Sequence, residues 1–435
     1  MLTVLLATVC GTTFGQDEEE EPLAGVAAAM MPQAQTYLQK SVDRELALLK
    51  TFTNANDATI AGINKLVKPL VKTSAKAAGA DWMSFYMGYI PSSVLSGLET
   101  AAQKAIKDTD AFARYQDDLK ARTAFNRRVS VSMFLSQLDS AVGIRFDQRK
   151  DIRKALEELA QKDGLPSGLT VTGKPPSSAV QSRLKELLTK AQFAWWEKNR
   201  QHIQQSGIVV GGTGMAMEKR AASLKNALTS LAGAKIEWLR DEFKLNAKQT
   251  RKLQLAGKGA ISKLIDKRLA AEDSVGQSLQ DGAGGVRLDS EEAMLGMVHK
   301  EMLLSRYSRW RGLMLGTLTD EQAMAFRKLE KERAKAERES LIDQCVLGMG
   351  RELPLTAKQM TAFRSIFDKL TPPADPEKRT APYTAYQKVL TLPKEDFVAA
   401  IGEDNWQKLQ PTLQMMKQFY GGEAAGEEPA DEAKK

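Results

Sequence analysis

Apolar residues along this chain recur at intervals of three and four, and the strict alternation that marks a β-strand is nearly absent. From Val180 onward, Leu184, Leu187, Leu188, Ala191 and Trp195 fall on one helical face, which predicts one continuous amphipathic helix there. Trp82, Phe85, Tyr86 and Tyr89 make a second stripe, closed by Pro91, of the kind that packs in a core or against a partner. Four stretches rich in Gly, Pro and Ser interrupt the pattern: Lys162 to Ser178, Gln204 to Ala216, Val275 to Gly285 and Thr371 to Tyr383. The expected fold is all-α, as multi-helix bundles or a helical array. The first break separates an N-terminal helical domain (30–161) from a C-terminal one (179–420), with 162–178 as linker.

One phrase occurs twice. "LTDEQAMAFRKL" starts at Leu318 and "LTAKQMTAFRSI" at Leu355, 37 residues later, with Thr, Gln, Phe and Arg in register. Thr319 suits the residue before a first helical turn, because its hydroxyl can accept from an unpaired backbone N–H. Gln322 can reach back to the N–H of Thr319, which completes a capping box. Gly316 can end the helix before it, so the phrase specifies a corner between two helices. Thr356 and Gln359 repeat the box, and Leu355 can touch Met360 as a hydrophobic staple. Leu318, Leu245 and Leu288 hold the position of Leu355 in their own corners. Asn246 with Gln249, and Asp289 with Glu292, are chemically equivalent pairs. Degenerate copies fall at Phe52 to Asn56, Ile144 to Gln148 and Leu392 to Asp396. A further "LTKAQ" from Leu188 lies inside the stripe that begins at Val180 and reads as coincidence. Four residues beyond the glutamine stand Ile152, Leu253, Phe326 and Phe363, each followed by Arg or Gln. That pair places one apolar side chain inward with a polar one beside it.

Leu318, Thr319, Gln322 and Leu355, Thr356, Gln359 resemble the LTxxQ motif of the Spy/CpxP periplasmic stress proteins, which are secreted, all-α and chaperone-like. The acidic start, the series of LTxxQ-like corners and the ending "IGEDNWQKL" resemble a group of secreted helical proteins of planctomycete bacteria. The resemblance implies an architecture and an exported location, and implies no reaction.

The ends agree with export. Leu2 to Cys10 is an apolar run followed by small residues, which reads as a signal peptide (1–15) cut after Gly15. The run is too short to remain as a membrane span. No Lys or Arg occurs before Lys40, so the usual positive start is missing. Val9 is bulkier than the residue expected before a lipidated cysteine. An acidic disordered segment (16–29) and an acidic disordered tail (421–435) are expected at the two ends of the mature chain. Removal of the leader leaves Cys345 alone, without a disulfide partner. The whole chain has 62 basic and 54 acidic residues. Without ten terminal acids and two terminal lysines, 60 stand against 44, a net near +16. Such a body can meet anionic lipid headgroups, wall polymers or nucleic acid. Its Lys and Arg are interleaved with acids, as in Arg327 to Ser340, which reads as a solvated helical surface.

Several chemistries are discounted. Gly168 to Pro175 matches the phosphate-loop spacing until Pro175 takes the place of the magnesium-holding Ser or Thr, and "GGTGMAM" lacks the third glycine of a dinucleotide site. His202 and His299 stand alone, without HExxH or paired Cys, which argues against catalytic zinc. His299 sits among Met294, Met297 and Met302, a stretch suited to core filling or to an adaptable surface. No cofactor is expected, and nucleic acid is not the expected partner. The pattern points first to an exported, non-catalytic interaction protein of chaperone-like type, acting without ATP on a protein or an anionic envelope partner. A binder of anionic envelope polymer or membrane surface comes second, and a carboxylate-based hydrolase third.

Overall fold

A computed structural model describes residues 21–78, 90–162, 177–203, 217–280, 307–374 and 388–420. Among these residues the structure is fourteen α-helices and no strand. The first half of the chain forms α1 (Glu21–Thr53), α2 (Asp57–Ala78), α3 (Ser92–Ala105), α4 (Thr109–Val142), α5 (Phe146–Lys162), α6 (Ser178–Leu187) and α7 (Lys190–Ile203). The second half forms α8 (Met217–Phe243), α9 (Ala247–Gln280), α10 (Ser308–Leu315), α11 (Asp320–Gly350), α12 (Ala357–Leu370), α13 (Lys394–Ile401) and α14 (Glu403–Tyr420).

Three expectations change. The part of the segment 16–29 that is described is helical, from Glu21 on, because its Ala-rich run consists of strong helix formers. The break expected from Val275 starts later, since α9 continues to Gln280. The stripe from Val180 is two helices: Leu188 is extended (φ −89°, ψ 153°) and ends α6, and α7 begins two residues on. Periodicity survived the break because Val180, Leu184, Leu188 and Trp196 all drop into the same core. The phosphate-loop match, the stripes at 82–89 and 294–302, and the corner Leu288–Asp289–Glu292 lie outside the described residues.

Among the described residues four cores form, each built from four helices. Core A joins α1, α2, α3 and the first half of α4 around Leu38, Leu49, Val67, Leu98 and Tyr115. Core B joins the second half of α4 to α5, α6 and α7 around Phe134, Leu138, Ile152, Leu184 and Trp196. The break at 162–178 therefore does not divide cores, since residues on both of its sides pack together. Core C joins α8, α9, α10 and the start of α11 around Leu239, Leu253, Trp310 and Phe326. Core D joins the rest of α11 to α12, α13 and α14 around Ile342, Phe363, Phe367 and Phe397.

The order of elements thus runs twice, with a long helix shared between two cores in each half. Asp108 caps α4 by accepting from Ala111 N at 2.9 Å, and Thr319 caps α11. Adding the difference between these caps, 211, to a number in α4–α5 gives its counterpart in α11–α12. Many buried residues coincide: Tyr115 with Phe326, Leu135 with Val346, Leu138 with Met349, Ile152 with Phe363, Leu156 with Phe367. An offset of 190, between the corner residues Asn56 and Asn246, does the same for α1–α2 and α8–α9, matching Leu38 with Leu228, Leu49 with Leu239 and Ile63 with Leu253. α4 and α11 pack together in opposite directions, which sets core A beside D and core B beside C.

Candidate functional site

Three of the sequence-picked corners, at Asn246, Thr319 and Thr356, are capping boxes among the described residues. Thr319 Oγ1 accepts from Gln322 N at 3.3 Å, and Gln322 Oε1 accepts from Thr319 N at 3.0 Å. Thr356 and Gln359 make the same exchange at 3.2 and 2.9 Å, and Asn246 with Gln249 at 2.9 and 3.0 Å. Leu245 and Leu355 are buried in cores C and D, and Leu318 packs against core C. The "LTKAQ" set aside as coincidence is also a capping box: Gln192 N donates to Thr189 Oγ1 at 3.2 Å and Thr189 N to Gln192 Oε1 at 2.9 Å. The corner at Phe52 to Asn56 caps through Asn56 alone, which accepts from Thr59 N. At Leu392 to Asp396 the cap residue is Pro393, which has no side chain able to accept.

The glutamines also bond across the bundle, and this pairing was missed from sequence. Gln148 Nε2 donates to Leu187 O and to Gln192 Oε1, both at 3.0 Å, while Gln192 Nε2 donates to Gly143 O at 2.9 Å. Gln249 Nε2 donates to Thr317 O (3.1 Å) and Gln322 Oε1 (2.8 Å), while Gln322 Nε2 donates to Phe243 O (2.8 Å). Each amide oxygen takes its own cap N–H. Each amide nitrogen satisfies a carbonyl left open where the helix ends at the opposite corner. In core D, Gln359 reaches Ile401 O at 2.7 Å, but the opposite residue is Asn405, a methylene shorter, which stands 3.5 Å from Pro354 O. The glutamines therefore tie corners into cores and leave no polar atom aimed at a ligand.

The seam between the halves is polar. Arg122 donates twice to Glu45 (2.6 and 2.9 Å) and once to Asp118 (2.7 Å). Asp118 in turn accepts from Ala357 N at 2.7 Å, which caps α12 from α4. Burial opposes the Arg122 charge, yet Glu45 and Asp118 more than offset it and hold its pKa above the ordinary value. Its counterpart Arg333 pairs with Asp139 at 2.8 Å, donates to Ile144 O and lies 4.6 Å over the Trp238 ring. The stretch Arg327 to Ser340, expected as a solvated surface, thus buries two of its charges: Arg333 pairs across the seam with Asp139, and Glu330 pairs within core C with Arg311.

A cleft of about 310 Å³ opens at this seam between α4, α5, α11 and α12. Cations line it from both halves: Arg128, Arg149, Arg153, Arg333, Lys335 and Arg364, against Glu332, Glu339 and Asp343. Most of these are spoken for. Arg149 and Arg333 hold Asp139, Arg364 holds Asp343 (2.6 Å) and Glu339, and Arg128 stands 3.8 Å from Asp343. The internal repeat exposes a difference. Arg153 is the counterpart of Arg364, and both follow the apolar residue four beyond a corner glutamine. Where Arg364 meets Asp343 and Glu339, Arg153 meets Ser132 (3.0 Å) and Arg128, the residues at the matching positions. Its nearest carboxylate, Glu157, is 3.8 Å away and partly exposed. Burial lowers the Arg153 pKa, countered by Glu157 and more weakly by Asp343 and reinforced by Arg149 and Arg128; Arg364, despite its burial, is raised by Asp343 and Glu339. Arg153 is therefore a half-buried guanidinium facing like charge where its twin has two carboxylates.

Among the described residues no group of three His, Cys, Asp or Glu is placed to hold a metal ion, and no helix is long and apolar enough to cross a membrane. The carboxylates that converge, Glu45 with Asp118 and Glu339 with Asp343, are each bridged by an arginine. Large apolar side chains left exposed among the described residues are Leu66, Leu70, Leu255 and Met324. Set against protein-family models, curated proteins and solved structures, the chain matches none.

Proposed function

We propose that this protein acts by binding, and that its ligand presents an oxyanion group, phosphate or carboxylate, of the kind displayed by anionic envelope polymers and lipid headgroups. The group seats in the seam cleft against Arg153, Arg128 and Lys335, with the Ser132 hydroxyl as a neutral donor. The observation that supports this is the exchange of Asp343 and Glu339 for Ser132 and Arg128 around one of two matched arginines. An arriving anion supplies to Arg153 the charge that Arg364 receives from its own chain, and guanidinium suits oxyanions because its N–H groups form a planar fork.

The test is calorimetric titration of the full chain with inorganic pyrophosphate at several salt concentrations. Saturable binding that weakens with salt is expected, because the cleft is open to solvent and its field is screened. Arg153→Ala should weaken binding roughly tenfold or more. Ser132→Asp should abolish it without loss of thermal stability, because the new carboxylate imitates Asp343. If Ser132→Asp binds pyrophosphate like the parent, the reading is wrong.

A further inference from the structure

The two junctions between halves differ in how they are filled. Where cores B and C meet, the Trp238 indole occupies the space under the Arg333 guanidinium and lies so close to Gly143 that a Cβ there would stand 3.0 Å from the ring. By the offset of the α1–α2 repeat, the counterpart of Trp238 is Leu48; by that of α4, the counterpart of Arg333 is Arg122. Leu48 and Arg122 both line a cavity of about 200 Å³ where cores A and D meet. Leu119, Val346, Leu353 and Met360 make its other walls mainly apolar. An indole on one side of the molecule thus corresponds to open space on the other.

We infer that this cavity is a binding site for a small aromatic acid, whose ring takes the place held at the other junction by the Trp238 indole and whose carboxylate turns toward Arg127. Charge complementarity favours the acid over a neutral ring. Arg127 lines the cavity together with Arg44 and Arg351, of which Arg351 pairs with Glu352, and Glu45, the carboxylate among its described lining residues, is already bound twice by Arg122. Arg127 is half-buried and has no ion pair among the described residues. Burial lowers the Arg44 pKa, reinforced by Arg122 and opposed by Glu45 and Glu352. Ring and guanidinium also attract each other across a face, as Trp238 and Arg333 do. At about 30 Å³ for each water in the liquid, the volume takes a ring with a short chain.

The experiment titrates the full chain with indole-3-acetate and, separately, with neutral indole, followed by calorimetry. Saturable binding of indole-3-acetate is expected, and its absence overturns the inference. Leu48→Trp builds the missing indole into the chain and should abolish binding with no fall in melting temperature. A folded Leu48→Trp protein that still binds like the parent also overturns it. Should Leu48→Trp fail to fold, Arg127→Glu decides: a roughly tenfold loss for indole-3-acetate with indole unchanged is expected, and equal effects on both ligands, or none, refute the carboxylate contact. Ser132→Asp should leave indole-3-acetate binding intact, which separates this site from the seam cleft.

Discussion

Gln249 and Gln322 show how one side chain can serve two helix ends. Each caps the helix it begins and bonds a carbonyl at the other corner, so truncating either opens groups in both places. Loss of a partly buried amide leaves its partners unsatisfied at about 1–3 kcal/mol. Gln249→Ala and Gln322→Ala are each expected in that range by urea denaturation. Because they share the 2.8 Å bond between their amides, the double variant should cost less than the sum, with a coupling of about 0.5–1.5 kcal/mol. Strict additivity would show that the amides do not act together. The residue scale also holds the main distinction of the candidate site, since Ser132 and Arg128 stand where Asp343 and Glu339 pair with the matching arginine, and Arg153 has a neutral hydroxyl in place of a carboxylate.

At the scale of elements, the 37-residue interval is the length of a long helix with its cap and corner. It separates Thr319 from Thr356, and also Asp108 from Arg145, the matching positions around α4. Neither α4 nor α11 carries one apolar stripe from end to end, because its two halves face different cores. The handover is tight where α4 ends. Gly143 has φ +64°, and a methyl there would press on Trp238. Gly143→Ala is expected to destabilise by about 1–3 kcal/mol, the usual cost of a non-glycine residue in the left-handed region. Gly233, in the middle of α8, has nothing within 4 Å of a built Cβ. Gly233→Ala should therefore stabilise by about 0.5–1 kcal/mol. Melting curves of the two variants moving in the same direction would contradict this account.

For the whole molecule, the question is whether two halves with four cores unfold as one. The described contacts across the seam include buried ion pairs, and breaking such a pair from one side costs more than forming it gains. Arg333 is central, since it links α11 to the α4–α5 corner and to Trp238 of α8. Arg333→Met should lose about 1–3 kcal/mol, moderated because Asp139 keeps Arg149. It should also separate unfolding into two steps, seen as circular dichroism and tryptophan fluorescence transitions that no longer coincide in urea. A single coincident transition would mean that the remaining contacts suffice to couple the halves.

Local chemistry made the helices readable in advance. Periodicity of three and four, Ala-rich segments, and Thr or Asn followed three residues later by Gln are instructions carried within one turn, so the all-α class and the caps at Asn246, Thr319 and Thr356 follow from the chain alone. The break at Leu188 was misread for the same reason: an apolar stripe continues in register when both helices fill one core, and only the extended Leu188 separates them. Placement across the seam is different. Which glutamine meets which carbonyl, which acid neutralises Arg364, and what stands beside Arg153 depend on residues tens to hundreds of positions apart, brought together by burial that no local pattern encodes. The interval of 37 was visible in one half as a repeated phrase, yet invisible in the other, where Asp108 and Arg145 stand at the positions of the threonines. The duplication, and the two openings it reveals beside Arg153 and Leu48, came into view only once packing had set the halves side by side.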